Sequence, residues 1–233
     1  MEANDKADGM IDNFIFSENN RQIKEETDRI LNNGSLSEPL LITGAQGTGK
    51  SCLLSGLCAA YRRRRNESPA CKVNGVDFMD AMVEAICRDG LKEFADEYGR
   101  YELLLIDDID DLADRRIMLE SFAGLIGRLS ESCMIVMTAT RQFDTKKLAG
   151  WMRTQIRELT LYPLSKELFL EMMDSRFVSA GVKLSRKQRE FLYVRSNKNV
   201  RSFDGVYNKI LLNCKVNGNY KLSMNDLLVY TRP

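Results

Sequence analysis

The sequence has no histidine among its 233 residues. Histidine is the commonest general base near neutral pH, so any catalysis must depend on carboxylates, lysine, arginine or a metal ion. Six cysteines are present, but they form no C-x-x-C pair, and without histidine they complete no zinc site of a familiar type. We therefore expect reduced, mostly buried thiols and a cytoplasmic protein.

Long apolar runs and a charge excess are also missing. No apolar stretch approaches the ~18 residues of a membrane-spanning helix, and the N-terminal residues are acidic and polar, so we expect neither a membrane span nor a signal peptide. Lys and Arg total 34 against 33 Asp and Glu, which gives a net charge of +1. Such a balance provides no overall field for nucleic acid, so any contact of that kind must come from local patches.

A phosphate-binding loop is the strongest motif in the chain. Residues 44–51 read GAQGTGKS and match G-x-x-x-x-G-K-[ST] at every fixed position. Residues 39–43 are typical of a short buried strand and residues 51–61 of a helix, which is the context that such a loop requires. Lys50 would reach the β- and γ-phosphates, and the Ser51 hydroxyl would bind Mg²⁺. We assign to the nucleotide Gly44, Ala45, Gln46, Gly47, Thr48, Gly49, Lys50, Ser51 and Cys52.

Residues 102–108 form an apolar run that closes on two carboxylates. Beside a phosphate loop in a parallel sheet, this is the Walker B pattern. Asp107 is predicted to hold the magnesium ion, and Asp108 to orient and polarise the attacking water. The alternative is a buried strand that merely emerges into a charged turn.

Two further stretches are candidates for the same site. The apolar run at 134–137 closes on Thr138 and Thr140. Thr140 is our candidate for contact with the γ-phosphate or its water, with Thr138 as a capping threonine the alternative. Before the loop, Phe14 and Ile15 are interpreted as a wall of the base pocket that Asn20 helps to orient. The alternative is that Ser17 and Asn20 are capping residues of the following helix.

Strand and helix patterns alternate as far as Tyr162, and only helical patterns follow Pro163. This order predicts an α/β fold in which a five-stranded parallel sheet carries helices on both faces, followed by a small all-helical domain. We expect a mobile tail at 1–12, a nucleotide-binding domain at 13–162 and a helical lid at 163–233.

With these motifs in this order, the chain resembles an AAA+ ATPase, and in particular the AAA+ module of the DnaA family of replication initiators. Three stretches carry the resemblance, which runs from about Phe14 to Leu228: residues 12–20, the helical insert from Met82 to Tyr98 that leads into 104–109, and Asn199-Val200-Arg201 with Gly205. It implies that Arg201 touches the nucleotide from the lid. It also implies an ATP-binding, slowly hydrolysing protein that acts in or regulates replication initiation, through assembly with its own copies or with a DnaA-type initiator. A helicase loader and a scaffold that does not hydrolyse ATP are the alternatives.

Several positions depart from the family pattern. The sequence stops before the family's duplex-reading domain, and Thr140 stands where the family usually has Asp. The arginine finger falls on Arg153 or Arg157, and one alignment places Gln155 there. For single-stranded DNA, Val83 and Arg115 match contact positions, Arg116 lies beside them, and Ile117 replaces a second basic residue. Arg62 to Arg65 are either an auxiliary patch or a solvated helix end. We expect weak DNA binding that is independent of base sequence.

Overall fold

The computed structural model describes residues 11, 14–65, 68–112, 116–140, 143, 146, 148, 150 and 155–231. The chain divides into two compact units. The first comprises Met1–Gln46 and Lys50–Tyr162, and the second comprises Gly47–Gly49 and Pro163–Pro233. The change between Tyr162 and Pro163 coincides with the point where the sequence becomes purely helical in pattern.

The described residues of the first unit build a five-stranded sheet. Its strands are β1 (Leu40–Thr43), β2 (Ala70–Asn74), β3 (Leu103–Asp107), β4 (Met134–Ala139) and β5 (Arg157–Thr160). They lie in the order β2-β3-β4-β1-β5, and every neighbouring pair is parallel. The three inner strands β3, β4 and β1 are almost wholly buried, because helices cover both faces of such a sheet. The predicted α/β fold with a five-stranded parallel sheet is confirmed.

Among the helices of the first unit whose full extent is described, five flank this sheet: α1 (Arg21–Asn33), α2 (Lys50–Arg64), α3 (Gly75–Cys87), α4 (Leu91–Tyr98) and α5 (Arg116–Leu129). Short 3₁₀ helices span Glu18–Asn20 and Asp110–Leu112. Helices α3, α4 and α5 cover one face with a cluster that includes Phe78 and Phe122, while α1 and α2 cover the other. Of the predicted mobile tail only Ile11 is described, and it is buried in the cluster of α1 and α2.

Two helix ends differ from the sequence-based boundaries. Helix α3 begins at Gly75 instead of Asp77, because the Asn74 side chain accepts a hydrogen bond from the Val76 amide at 2.9 Å and caps the helix earlier. A helix expected over 148–156 has ended before Gln155, since Gln155 and Ile156 are not helical. Most of the rest of that segment lies outside the described residues.

The arginines at the end of α2 are partly used within the chain. Arg62 Nε donates to the Ala70 carbonyl at 3.0 Å, which ties the helix end to the start of β2. The Arg65 guanidinium lies 5.4 Å from the Tyr61 ring centroid, and its Nη2 is 3.4 Å from the Asn32 carbonyl oxygen. For these two residues, intramolecular packing is therefore favoured over the nucleic-acid interpretation.

The second unit is helical, as predicted. Its helices are α6 (Lys166–Ser179), α7 (Arg186–Arg195), α8 (Val200–Asn217) and α9 (Met224–Tyr230). Each begins after a Ser or Asn whose side chain accepts an amide hydrogen bond, which explains why the starts were readable from the sequence. The core includes Phe169, Phe177 and Phe203, with edge-to-face ring contacts. In neither unit is any described helix both long and apolar enough to span a bilayer.

All six cysteines are free thiols, as expected. Only Cys58, Cys133 and Cys214 are buried, whereas Cys87 is exposed. Burial raises the pKa of the Cys133 thiol to about 12, so this group is uncharged at neutral pH.

Candidate nucleotide-binding site

The loop at 44–51 joins β1 to α2, whose first residue is Lys50. The N–H groups of the first helical turn therefore follow the loop directly, at the helix end that favours an anion. Gly47 and Gly49 have φ angles of 80° and 103°, which residues with a Cβ rarely adopt, whereas Gly44 is not among the described glycines with positive φ. The loop thus has the backbone form that close approach to a phosphate requires.

Lys50 is folded back onto the carbonyls of this loop. Its Nζ donates to the Gly44 oxygen at 2.7 Å and to the Ala45 oxygen at 3.2 Å. Burial lowers the pKa of Lys50, and the carboxylates of Asp110, Asp108 and Asp107 act in the opposite direction. The side chain is therefore a partly desolvated cation whose present partners are neutral carbonyls, which a phosphate can replace.

Asp107, the last residue of β3, is 7% exposed, and each of its carboxylate oxygens has a polar partner. Ser51 Oγ donates to Oδ1 at 3.1 Å, and Lys72 Nζ lies 3.0 Å from Oδ2. The structure thus brings together Ser51 and Asp107, the two residues predicted to hold magnesium. A hydroxyl and a carboxylate fit Mg²⁺, which is usually bound by one or two protein oxygens, water and substrate phosphates. Among the described residues no group of three or more acidic or thiol side chains forms a closed metal cage, and such a cage is not needed here.

Thr138 connects the two Walker B carboxylate residues. Its side chain is fully buried on β4; the hydroxyl accepts from the Asp108 amide at 2.9 Å and donates to Asp107 Oδ1 at 2.8 Å. Thr138 lies within a strand and caps no helix, so the capping alternative is wrong. Its observed contacts position the carboxylate that Ser51 also touches.

Asp108 and Thr140 lie at the same edge of the sheet. Asp108 has a φ of 69°, an unusual value for a residue other than glycine. Thr140 Oγ1 donates to Asp110 Oδ1 at 2.7 Å, and the Thr140 amide donates to Asp110 Oδ2 at 2.9 Å. The pKa of Asp108 is raised, mainly by a hydrogen bond with Asp110 and secondly by burial. These residues line a pocket of about 480 Å³, together with Asn74, Val76, Asp111 and Phe143.

The segment expected to contact the base is held by Asn20. Asn20 Nδ2 donates to the Tyr162 carbonyl at 3.0 Å, and the Tyr162 amide donates to Asn20 Oδ1 at 2.8 Å. The Asn20 side chain makes no cap hydrogen bond with α1, so the capping interpretation is wrong for this residue. Phe14 and Phe16 pack with ring centroids 4.8 Å apart. Ile15, the residue between them in the sequence, is half-buried.

Two of the three candidate arginines are described, one in each unit. Arg201 is the second residue of α8 in the second unit and is exposed. Arg153 lies outside the described residues. Arg157 starts β5, opposite Leu40 at the amino edge of the sheet, and its Nη1 is 2.6 Å from Oε1 of the buried Glu26. This ion pair gives Arg157 a structural partner within its own chain; the finger assignment stays a prediction.

The predicted DNA contacts are only partly described. Val83 is half-buried on α3, and Arg116 is the first residue of α5, although the structure does not describe its side chain. Arg115 is outside the described residues. Ile117 is 81% exposed, so an apolar residue stands at the surface where the family pattern has a second basic residue.

Sequence reasoning missed Lys72 and Asp110, and it considered Thr138 only as a cap. Lys72 had a detectable signal, since it is a charged residue inside a five-residue strand. Asp110 had none, because its partner Thr140 is 30 residues away.

The family model described as the bacterial DnaA ATPase domain matches residues 6–157. AMPPCP-bound DnaA from Aquifex aeolicus has a TM-score of 0.71 and 24% identity, over 86% of this chain and 63% of that one. Domain III of the Thermotoga maritima replication initiation protein DnaA has a TM-score of 0.77 and 17% identity, over 94% of each chain. The replication initiator DnaA bound to AMPPCP and single-stranded DNA has a TM-score of 0.70 and 24% identity, over 90% of this chain and 65% of that one. The chain thus spans less than two thirds of the first and third of these proteins, and at these identities the likeness shows the fold.

Proposed function

The chain belongs to the bacterial DnaA ATPase domain family, and we propose that it binds ATP with Mg²⁺ and acts in, or regulates, the initiation of DNA replication. In this proposal it works by assembly with other AAA+ subunits, either its own copies or a DnaA-type initiator. The observation that carries the nucleotide site is the hydrogen bond of 3.1 Å between Ser51 and Asp107, next to a lysine that closes the phosphate loop. The AMPPCP named for two of the similar structures supports the same ligand class.

Each group of the site has a definite part in this proposal. The first-turn amides of α2 and the Lys50 ammonium bind phosphate oxygens, and Ser51 and Asp107 hold the metal ion. Mg²⁺, when bound, supplies positive charge that the phosphates need. Phe14, Ile15 and Asn20 on the first unit and Arg201 on the second stay candidates for further nucleotide contacts.

Nucleotide binding is tested by the melting temperature of the purified protein with ADP, ATP or AMPPCP and Mg²⁺. A ligand at 100 times its Kd adds about 2.7 kcal/mol to the stability of the folded state. For a chain of this size we expect a rise of roughly 5–10 °C. Lys50→Ala should remove the rise, whereas Lys24→Ala, at an exposed ion pair on α1, should retain it. A wild-type protein that no nucleotide stabilises would refute the proposal.

Hydrolysis is a separate part of the proposal. We propose that Asp108 orients the attacking water and that Thr140, together with Asp110, faces the γ-phosphate. The arginine finger is Arg153 or Arg157, unless Gln155 occupies that position. It comes from a neighbouring subunit, so the monomer hydrolyses ATP slowly. Asp108→Asn should abolish turnover and retain ATP binding. Equal loss of binding in Asp108→Asn and Lys50→Ala would contradict the separate roles.

Assembly distinguishes the replication role from its alternatives. Sedimentation of the purified chain with ATP and with ADP should show larger species with ATP only. Affinity capture from native lysate in the two nucleotide states should recover a DnaA-type initiator. Recovery of a replicative helicase would favour a helicase loader, and ATP-dependent assembly without any turnover would favour a scaffold. A cytoplasmic location belongs to the same proposal.

Weak binding of single-stranded DNA is the last part. Single-stranded DNA is present in one similar DnaA structure, and Val83, Arg115 and Arg116 are the candidate contacts on this chain. These few cations can neutralise only a few phosphates, so one subunit should bind weakly and in a salt-dependent way. Binding should therefore require ATP-driven assembly, which places several such sites along one strand. Fluorescence anisotropy with single- and double-stranded oligonucleotides at two salt concentrations measures this. Tight binding to one specific duplex would contradict it.

A further inference from the structure

Lys72 is a charged residue in the middle of β2, an edge strand whose one neighbour in the described sheet, β3, is apolar up to Asp107. Alternate residues of a strand face opposite sides of the sheet. Cys71 and Val73 pack on the cluster of α3, α4 and α5, whereas Ala70 belongs to the cluster of α1 and α2. Lys72 shares the face of Ala70, which is the side of the phosphate-loop helix. The strand therefore directs the Lys72 side chain to the face that also carries the phosphate-loop helix.

The Lys72 ammonium forms an ion pair with Asp107, the carboxylate assigned to the metal ion. In the register of β2 with β3, Lys72 is opposite Leu105, two residues before Asp107. Its side chain extends along the strand to place Nζ 3.0 Å from Asp107 Oδ2, with 28% of the lysine side chain and 9% of the aspartate side chain exposed. Ser51 and Thr138 occupy Oδ1. Asp107 therefore already has one cation and two hydroxyl donors in the protein alone.

We infer that Lys72 is a resident counter-ion of Asp107 that makes nucleotide binding less dependent on a divalent metal. This inference rests on the proposed nucleotide site. A largely buried carboxylate without a cation repels a triphosphate at close range and strongly attracts Mg²⁺. A fixed ammonium on the same carboxylate weakens both effects, because it neutralises the aspartate before a metal arrives and repels the metal afterwards. The protein should therefore retain nucleotide in low magnesium better than it would without this lysine.

The experiment compares wild type with Lys72→Met, which keeps the apolar stem and removes the charge, and with Lys72→Arg, which keeps the charge. The Kd for ADP is measured by fluorescence titration in EDTA and in millimolar Mg²⁺. We expect the ratio of the Kd in EDTA to the Kd in Mg²⁺ to be at least tenfold larger in Lys72→Met than in wild type. Lys72→Arg should remain close to wild type. An unchanged ratio in Lys72→Met would overturn the inference.

A second measurement needs no nucleotide. Mg²⁺ alone should raise the melting temperature of Lys72→Met by several degrees and leave that of wild type nearly unchanged. If wild type binds no nucleotide, the proposed function fails, and this measurement still decides the role of Lys72. If wild type binds ADP but the Kd ratio of Lys72→Met does not differ from that of wild type, the counter-ion role fails and the nucleotide site stands. Should Lys72→Met not fold, Lys72→Gln replaces it in both measurements with the same criteria.

Discussion

Replacing Thr138 with valine removes one hydroxyl from the centre of the candidate site. The substitution nearly conserves side-chain volume, and β-branched valine suits a strand, so packing and backbone preference change little. The hydroxyl, however, accepts from the Asp108 amide and donates to Asp107 inside a fully buried environment. Thr138→Val therefore tests the two hydrogen bonds almost alone.

The expected magnitude follows from these two contacts. Loss of a hydrogen bond to a charged carboxylate costs about 1.5–3 kcal/mol, and a buried amide left without an acceptor costs about 1–3 kcal/mol. We expect the free energy of unfolding of the first unit to fall by about 3 kcal/mol. Affinity for Mg²⁺-nucleotide should fall as well, since Asp107 loses the donor that fixes its orientation opposite Ser51.

Urea unfolding and nucleotide titration measure both effects, with Thr138→Ser as the matched control. Serine keeps the hydroxyl and removes one methyl group, which costs about 1 kcal/mol in a buried position. Thr138→Ser should therefore be about 2 kcal/mol more stable than Thr138→Val, because it keeps both hydrogen bonds and loses only the methyl group. If Thr138→Val proves as stable as Thr138→Ser and binds nucleotide equally well, the connecting role of the hydroxyl is refuted.

Three other substitutions test contacts elsewhere in the first unit. Asn20→Ala removes two hydrogen bonds to the Tyr162 backbone, so urea unfolding should show a loss of about 2 kcal/mol. Burial, and then the hydrogen bond that Tyr61 donates to Glu102, raise the pKa of Tyr61 to about 12, compared with about 10 in an unfolded chain. The free energy of unfolding should therefore decrease as pH rises from about 10 to about 12, and Tyr61→Phe should flatten that decrease. Arg157→Met should cost about 1–2 kcal/mol by removing one of two ion-pair partners from a buried glutamate. ATPase loss at unchanged stability would instead identify Arg157 as the finger.

The sheet was predictable because its inner strands are covered on both faces. Strands β1, β3 and β4 are short continuous apolar runs, and the helical patterns between them leave only a parallel arrangement with crossover connections. Helix ends were less predictable where a side chain decides the first residue. Asn74 closes β2 and caps α3 at once, so the apolar period of the helix, which begins later, indicated the wrong start.

The site was predictable where its residues are neighbours in sequence. The loop glycines, Lys50 and Ser51 follow from one motif, and the two aspartates follow from the end of one apolar strand. Pairs such as Asn20 with Tyr162 could not be predicted, because 142 residues separate them and neither local sequence pattern indicates the other residue as a partner. A polar residue with a long-range partner resembles an ordinary cap or turn residue until the topology is known.

Strand register explains why Thr138 belongs to the site. Residues Ile106 and Met137 are partners in the parallel pairing of β3 and β4, so the next residues along each strand, Asp107 and Thr138, emerge side by side at the carboxyl edge. The β1–β4 register places Ile42 opposite Thr138 and so brings the strand that enters the phosphate loop alongside. The strand register therefore explains why Thr138, which resembles a cap in the sequence, is a hydrogen-bond donor to the metal-site carboxylate of Asp107. The same argument applies to Lys72, whose partner Leu105 lies two residues before Asp107, a separation that a lysine stem can span.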